Sequence, residues 1–196
     1  MSGKESTVAV EVPRIRIEHL LLTIVGDSPL ICHRWSEKAK REMLDKQMKK
    51  AKTARAAKDP KEDYESSLYR IDNGKCGFPA VAFKAAAVGA CRFADGMKMT
   101  EARGAFHING DIIPLEGKPQ MREDMVRVGM GKADIRYRGE FLSWRTNLDI
   151  SFNADAISKE QIVNLFNLAG FGVGVGEWRP EKDGSYGRFH VATEGE

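Results

Sequence analysis

The sequence predicts an α+β domain, an antiparallel sheet with two core helices on one of its faces. Three observations predict it. Alternating, β-branched-rich segments stand near both ends, at "RIRIEHLLLTIV" and "YGRFHVAT". Two helix-forming stretches, one beginning at Pro79 and one after Ser158, are separated by hairpin patterns. A long alternating strand, "FLSWRTNLDISF", stands just ahead of the second helix. At 196 residues the chain is the size of one domain, and we read 1–196 as a single unit carrying an insertion.

Taken in order, Val8, Val10 and Val12 alternate, then Ile15 and Ile17, and "HLLLTIV" continues as a buried strand. "GDSP" breaks it. Ser36 is an N-cap residue and Glu37 suits a first helical turn, so a basic helix is expected from Ser36 to Lys58, ended by "DPKED". Its apolar stripe, Ala39, Met43, Met48 and Ala51, with Leu44, is thin, so 36–67 reads as an insertion that packs lightly on the body or moves. Asn73-Gly74 signals a two-residue hairpin turn. "PAVAFKAAAVGACRFADG" is a helix from Pro79 to about Ala94, stopped by Gly96. "FHINGDIIPL" is a second hairpin, turning at Asn109-Gly110, and "DMVRVGMGKADIRYRG" a third, with Val126 and Val128 matched to Ile135 and Tyr137. Leu142, Trp144, Thr146, Leu148, Ile150 and Phe152 form one face of the next strand. In the last helix Ser158 and Gln161 have capping-box spacing, Ile157 and Ile162 that of a hydrophobic staple, and Gly170 is the expected C′ residue. Without the insertion, the order is strand, helix, strands, strand, helix, strand, which is the ferredoxin-like or RRM-like arrangement.

Composition limits the function classes. No apolar run approaches the roughly 20 residues that span a bilayer, and "MSGKESTVAVEVPRIRIEH" has no signal-peptide core. Cys32, Cys76 and Cys91 are too few and scattered for a disulfide framework, as in a reducing cytoplasm. The net charge is only +3. Its distribution is uneven, with Arg34, Lys38, Lys40, Arg41, Lys46, Lys49, Lys50, Lys52, Arg55 and Lys58 opposed only by Glu37, Glu42 and Asp45. Such a segment fits a local polyanion contact or a solvated helix.

The segment "AGFGVGVGEWRPEKDGSYGRFHV" has the highest glycine density in the chain. It lacks G-x-G-x-x-G in register and follows a helix, so it is not a dinucleotide loop, and no phosphate-loop motif occurs elsewhere. Two readings remain. One is a Gly-rich connector. The other is a loop of exposed amides, at Gly174 and Gly176 among others, lying against a sugar-phosphate backbone with Arg179, Lys182 and Arg188 beside it. Trp35, Tyr137 and Trp178 lie near basic residues, Tyr137 next to Arg136, a combination that suits unpaired bases as well as ordinary packing. His19, His33, His107 and His190 are too far apart in sequence for a zinc motif, and no metal or cofactor is expected. His33 is a candidate to act on a ribose 2′-hydroxyl, and Asp72 a candidate for metal-assisted cleavage or a turn former.

Two stretches together resemble a known family. "GFPAVAFKAAAVGACR" is similar to the I-P-x-S-S-L-K-G-A-L-R motif of the RAMP superfamily of CRISPR systems, with Phe78-Pro79, Phe83-Lys84 and Arg92 in comparable places. "GFGVGVGEWRPEKDGSYGRFHV" resembles that superfamily's C-terminal glycine-rich loop through Gly174, Gly176, Arg179, Gly187, Arg188 and Phe189. "AVAFKAAAVG" lacks the motif's paired serines. The resemblance implies an RRM-like fold binding single-stranded RNA or DNA, without sequence preference, as a subunit of a helical homo-oligomer. Residues 121–139 would be a thumb-like hairpin, and 36–67 an insertion facing the strand. It implies binding through Lys84, Arg92, Gly174, Gly176, Trp178, Arg179, Lys182 and Arg188, with Arg34, with Lys38, Arg41 and Lys49 of the insertion, and with Arg136 of the hairpin. The expected partners are the strand itself, further copies, and other CRISPR-like or phage recombination subunits. The alternatives are an endoribonuclease using His33 or Asp72, and a module that mimics or blocks a CRISPR assembly.

Overall fold

The computed structural model describes residues 14–50, 57–129 and 131–195. The expected alternation at Val8, Val10 and Val12, and Ala51, Lys52 and Arg55 of the basic segment, lie outside them. The chain runs β1 (Ile17–Gly26), β2 (Leu30–Cys32), α1 (Glu37–Gln47), α2 (Pro60–Ser67), β3 (Tyr69–Arg70), β4 (Cys76–Pro79), α3 (Ala80–Ala90) and α4 (Met99–Ala105). It continues through β5 (Phe106–Ile108), β6 (Ile112–Pro114), β7 (Pro119–Val128), β8 (Lys132–Phe141), β9 (Arg145–Asn153), α5 (Lys159–Gly172) and β10 (Phe189–Val191).

The principal sheet has the order β10-β1-β9-β5 and is antiparallel throughout. With α3 following β1 and α5 following β9, this is the ferredoxin-like order that the element pattern predicts. Leu22, Ile24, Phe106, Leu148, Ile150, Phe152 and Phe189 turn their side chains to the helices. Phe83, Ala86, Ala87 and Ala90 of α3 and Ile162, Leu165, Phe166 and Ala169 of α5 meet them. Aromatic edges interlock this layer, with Phe83 against Phe189 at 6.0 Å and Phe106 against Phe166 at 6.1 Å. The alanines of α3 let α5 lie close beside it. The sheet's other face is open, so "HLLLTIV" is not buried throughout: Leu21 is 71% exposed between buried Leu22 and half-buried Leu20.

Two smaller sheets, β2-β8-β7 and β3-β4-β6, extend from this body. The β7–β8 hairpin pairs Pro119 with Phe141 through to Val128 with Lys132. This register sets Met125 opposite Ile135 and Glu123 opposite Tyr137, so Val126 and Val128 are not the partners that simple alternation suggests. β5 and β6 do not form a hairpin at Asn109-Gly110, because β5 pairs with β9 and β6 with β4. Asn109 is instead tied to β9 by its N–H on the Asp149 carbonyl and its side-chain amide on the Ser151 hydroxyl. Around Asn73-Gly74 the chain makes a 3-10 turn over Asp72–Gly74, closed by the Ile71 N–H on the Lys75 carbonyl, rather than a two-residue turn.

Helix boundaries differ from expectation for physical reasons. The basic helix stops at Gln47, and "DPKED" starts α2 rather than ending its predecessor. Asp59 accepts from the N–H groups of Lys61 and Glu62, and Pro60 occupies the first turn. Pro79 caps α3 from the end of β4, and α3 ends at Ala90 rather than near Ala94. Leu142 lies before β9 and is exposed, while Trp144 is buried with its indole N–H on the Ser28 carbonyl. The capping box of Ser158 and Gln161 forms, with Ile157 and Ile162 buried beneath it.

Gly170 is not the C′ residue. α5 continues to Gly172, and Gly174, at φ +70°, takes the left-handed position after the Val173 cap. Gly170 serves helix–strand contact, since a Cβ there would stand 1.7 Å from the Phe189 carbonyl oxygen. Gly170→Ala is therefore expected to cost at least about 2 kcal/mol through forced separation of α5 and β10. Gly104→Ala, at a helical position with nothing within 4 Å of the added methyl, is expected to stabilise by about 0.5 kcal/mol. Urea unfolding of both variants checks this, and equal midpoints would refute the close-approach account.

Candidate functional site

A groove of about 1120 Å³ opens between α1, α2 and the β7–β8 hairpin. β2 pairs only with Gly139, Glu140 and Phe141, so the outer edge of β8 beyond them faces this groove. His33, Arg34 and Trp35, which follow β2, form one end. Met43, Lys46 and Lys50 come from α1 and the turn after it, Asp63 from α2, and Arg136 and Tyr137 from β8. The Lys58 ammonium caps the β8 edge by donating to the Asp134 carboxylate at 2.6 Å and to the Ile135 carbonyl. α1 buries none of its residues and is held as a helix by local contacts. Ser36 accepts from the Ala39 N–H at 3.1 Å, and Lys40 reaches Glu37 at 2.7 Å.

An ionic network ties His33 and Glu177 of the groove lining to the interior of the hairpin. His33 Nδ1 lies 3.2 Å from Glu177 Oε1, and Glu177 Oε2 lies 3.9 Å from Arg138 Nη2. Arg138, 1% exposed, donates to Asp124 at 3.3 Å. Arg122 donates to Asp124 at 2.8 Å, to Glu140 at 2.7 Å and to the Tyr186 hydroxyl at 3.3 Å. The Arg122 guanidinium lies 5.4 Å from the Trp178 ring centre and 4.9 Å from that of Tyr186, and Arg138 lies 5.6 Å from Trp178. Two hairpin guanidiniums are thus stacked on two aromatics of the glycine segment. Burial draws the Arg122 guanidinium down, but hydrogen bonds to Asp124, Glu140 and Tyr186 outweigh it and hold the group above its ordinary range. For Arg138 burial wins over the attraction of Glu177 and Asp124, and the group sits below its usual value. The hydrogen bond from His33, with help from its charge and that of Arg138, keeps the Glu177 carboxyl below the ordinary carboxylate range.

The amides of the glycine segment are largely used within the protein. Val175 donates to the Gly187 carbonyl, Gly187 to Pro29, Glu177 to Ile31, Tyr186 to Trp178 and Gly184 to Arg179. Side chains at these glycines would collide with the same backbone: a Cβ at Gly187 would lie 1.7 Å from the Val175 carbonyl oxygen, and one at Gly176 2.6 Å from that of Ile31. The expected loop of exposed amides is therefore a self-hydrogen-bonded coil seated on β2.

The residues singled out from sequence do not come together in one place. His33, Arg34 and Arg136 meet at the groove with Trp35 and Tyr137. Lys38, Arg41 and Lys49 are exposed on or just after α1, outside the groove lining. Arg92, Arg179 and Lys182 lie around the far side of the glycine segment. There Arg92 and Arg179 both pair with Glu181 at 2.9 Å, and Lys182 is exposed. Arg188 donates to the Ser185 carbonyl at 3.3 Å. Gly174 is buried, Gly176 half-buried, and Trp178 is occupied by the two guanidiniums. Lys84 stands apart, donating to His107 Nδ1 at 3.1 Å by the β5 edge, and partial burial lowers its pKa. Asp72 is exposed on its turn, and no group of three metal-ligating side chains occurs among the described residues. Sequence reading missed Arg122, Asp124, Arg138 and Glu140. Their signal is the spacing R-x-D and R-x-E, which puts each pair on one face of a strand.

No protein-family model and no curated protein matches the chain. Among solved structures, the crystal structure of Cmr6 from Pyrococcus furiosus is similar, with a TM-score of 0.46 and 10% identity over 91% of this chain and 100% of that one. No helix among the described residues is long and apolar enough to cross a membrane.

Removing Arg122 leaves the buried Asp124 and Glu140 carboxylates short of a partner and uncovers Trp178. Arg122→Ala is expected to destabilise by roughly 3 kcal/mol and to reduce the near-ultraviolet circular dichroism of the tryptophans. A shift in urea midpoint equivalent to less than about 1 kcal/mol would show that the stack does not anchor the hairpin.

Proposed function

We propose that this protein binds single-stranded nucleic acid in the groove between α1, α2 and the β7–β8 hairpin, and that copies assemble along the strand. One observation carries the reading. Two aromatic and two cationic side chains from distant parts of the chain, Trp35 and Arg34 after β2 and Tyr137 and Arg136 on β8, line the same groove. Aromatic faces stack on unpaired bases for about 1–3 kcal/mol each, and neighbouring cations attract the phosphates. The exposed outer face of α1, with Lys38 and Arg41, adds charge along the same side. Arg92, Arg179, Lys182 and Arg188 provide a second contact line beside the glycine segment. The RAMP-like motifs at Phe78–Arg92 and Gly174–Phe189 support the same function and the same oligomeric habit, in which 121–139 acts as a thumb. Other CRISPR-like or phage recombination subunits are the partners this implies. Three buried, free cysteines fit a reducing cytoplasm.

Fluorescence anisotropy with single-stranded RNA and DNA oligomers across a salt series tests the reading. Binding is expected to weaken steeply with salt. Trp35→Ala and Tyr137→Ala are each expected to weaken it at least about fivefold. No binding at low salt, or binding without salt dependence, would overturn it. Size-exclusion chromatography with the 260/280 nm ratio reports assembly: a monomer that stays a monomer with saturating oligomer excludes the filament.

A second reading has its own observation. His33 sits on the groove with Nδ1 held by Glu177, which orients the ring and leaves Nε2 to act. There it would take the proton of a ribose 2′-hydroxyl. The 2′-oxygen would attack the adjacent phosphorus, and the 5′-oxygen would leave with a proton from water, giving a 2′,3′-cyclic phosphate and a 5′-hydroxyl. Labelled RNA on a denaturing gel decides it. Cleavage insensitive to EDTA and abolished by His33→Ala is the expected result for this chemistry, and intact RNA removes it.

A further inference from the structure

The two edges of the β7–β8 hairpin differ. The β8 edge is covered: β2 pairs with Gly139, Glu140 and Phe141, the Ser67 hydroxyl accepts from the Gly139 N–H at 2.7 Å, and Lys58 donates to the Ile135 carbonyl. β7 is the last strand of its sheet, and no strand among the described residues pairs with its outer edge along Pro119–Val128. An edge ten residues long with no such cover is a template for another strand.

The hairpin's own bonding says which backbone groups that edge offers. The Ile135 carbonyl and the Gly139 N–H point away from β7, so the odd-numbered residues of β8 turn their backbone groups outward. Met125 stands opposite Ile135 and Met121 opposite Gly139. Met121, Glu123, Met125 and Arg127 therefore turn theirs outward on the β7 side. The side chains of these four residues share one face of the hairpin. Met125 is 74% exposed there, and Ile135 beside it 45%. Glu123 and Arg127 are exposed on either side of Met125. Glu123 accepts from the Tyr137 phenol across the hairpin, and Arg127 faces Ala133, which offers it no charge.

The order Glu123-x-Met125-x-Arg127 is its own antiparallel complement. Set against a second copy with Met125 opposite Met125, each Glu123 meets an Arg127. Ile135 and Met125 of one copy and Met125 and Ile135 of the other then form one apolar row across four strands. A shift of two residues either way sets Met125 opposite Glu123 or Arg127. A shift of four sets Glu123 opposite Glu123, or Arg127 opposite Arg127, and like charges directly opposite repel.

We infer that β7 pairs with β7 of a second copy in this register, about a two-fold axis at Met125, so that two hairpins form one four-stranded antiparallel sheet. The contact uses the hairpin edge turned away from the groove, so it does not depend on strand binding.

Sedimentation equilibrium of nucleic-acid-free protein at low salt tests it. The unaltered protein is expected to show a concentration-dependent monomer–dimer equilibrium. Glu123→Arg and Arg127→Glu, each alone, oppose like charges twice per dimer and are expected to weaken it at least about tenfold. An equimolar mixture of the two variants restores opposite charges at both places and is expected to dimerise within about threefold of the unaltered protein. An unaltered protein that stays monomeric at every soluble concentration would overturn the inference, whether or not the variants fold. So would single variants that dimerise like the unaltered protein, or a mixture that does not recover. Strand binding is read separately, by anisotropy with added oligonucleotide, so the two readings fail independently.

Discussion

The stack of Arg122 and Arg138 on Trp178 and Tyr186 is the constraint on which the rest of the groove depends. The hairpin has few apolar anchors. Met121, Met125 and Ile135 on one of its faces are exposed, and its other face carries Arg122, Asp124, Arg138 and Glu140. Burying such charges is costly, and a simple pair often recovers no more than the desolvation it requires. Here each guanidinium gains a carboxylate and an aromatic face together. The aromatic faces also have to be held still, and that is the task of the glycine segment. Trp178 adopts φ +52°, an unusual value for a bulky residue, while its carbonyl accepts from Tyr186 and lies against Gly184. The glycines therefore let backbone pack on backbone so that two aromatics meet two arginines.

This explains what was legible in the sequence. The ferredoxin-like core was, because its signals are local: alternation in β1 and β9, the Ser158–Gln161 cap, and the alanines of α3. Burial in β9 follows the predicted face at Thr146, Leu148, Ile150 and Phe152. What failed depended on distant partners. Asn109-Gly110 has the chemistry of a hairpin turn, yet β4 and β9 compete for the strands on either side of it. Gly170 has the chemistry of a helix end, yet the Phe189 carbonyl determines its role. The groove was legible in its parts, Trp35 and Arg34 in one place and Arg136 and Tyr137 in another. Nothing in the spacing says that they face each other, since β2 brings them together by pairing only with the last residues of β8.

The two walls of the groove also differ in kind. The hairpin wall is held by the ionic stack and by α2, where the Ser67 hydroxyl accepts from the Gly139 N–H at 2.7 Å and Leu68 fills the space above Gly139. The α1 wall is anchored through its cap and local ion pairs and buries nothing. Elements with few buried contacts open at low free-energy cost. Met43, Leu44, Met48 and Trp35 are left exposed on or beside that wall, an arrangement that costs solvation in the free protein and is relieved by anything that covers them.

A division of labour follows from that asymmetry. Fixed geometry needs buried neighbours, and of the two walls only the one built from the hairpin and α2 has them, at Ser67, Leu68, Arg138 and Gly139. Attraction of phosphates needs charge but little geometry, and a lightly anchored basic helix supplies it at any of several positions. The charge balance is consistent with this arrangement. The groove carries arginines and lysines interspersed with carboxylates, while Lys38 and Arg41 on α1 and Lys49 just after it stand outside its lining.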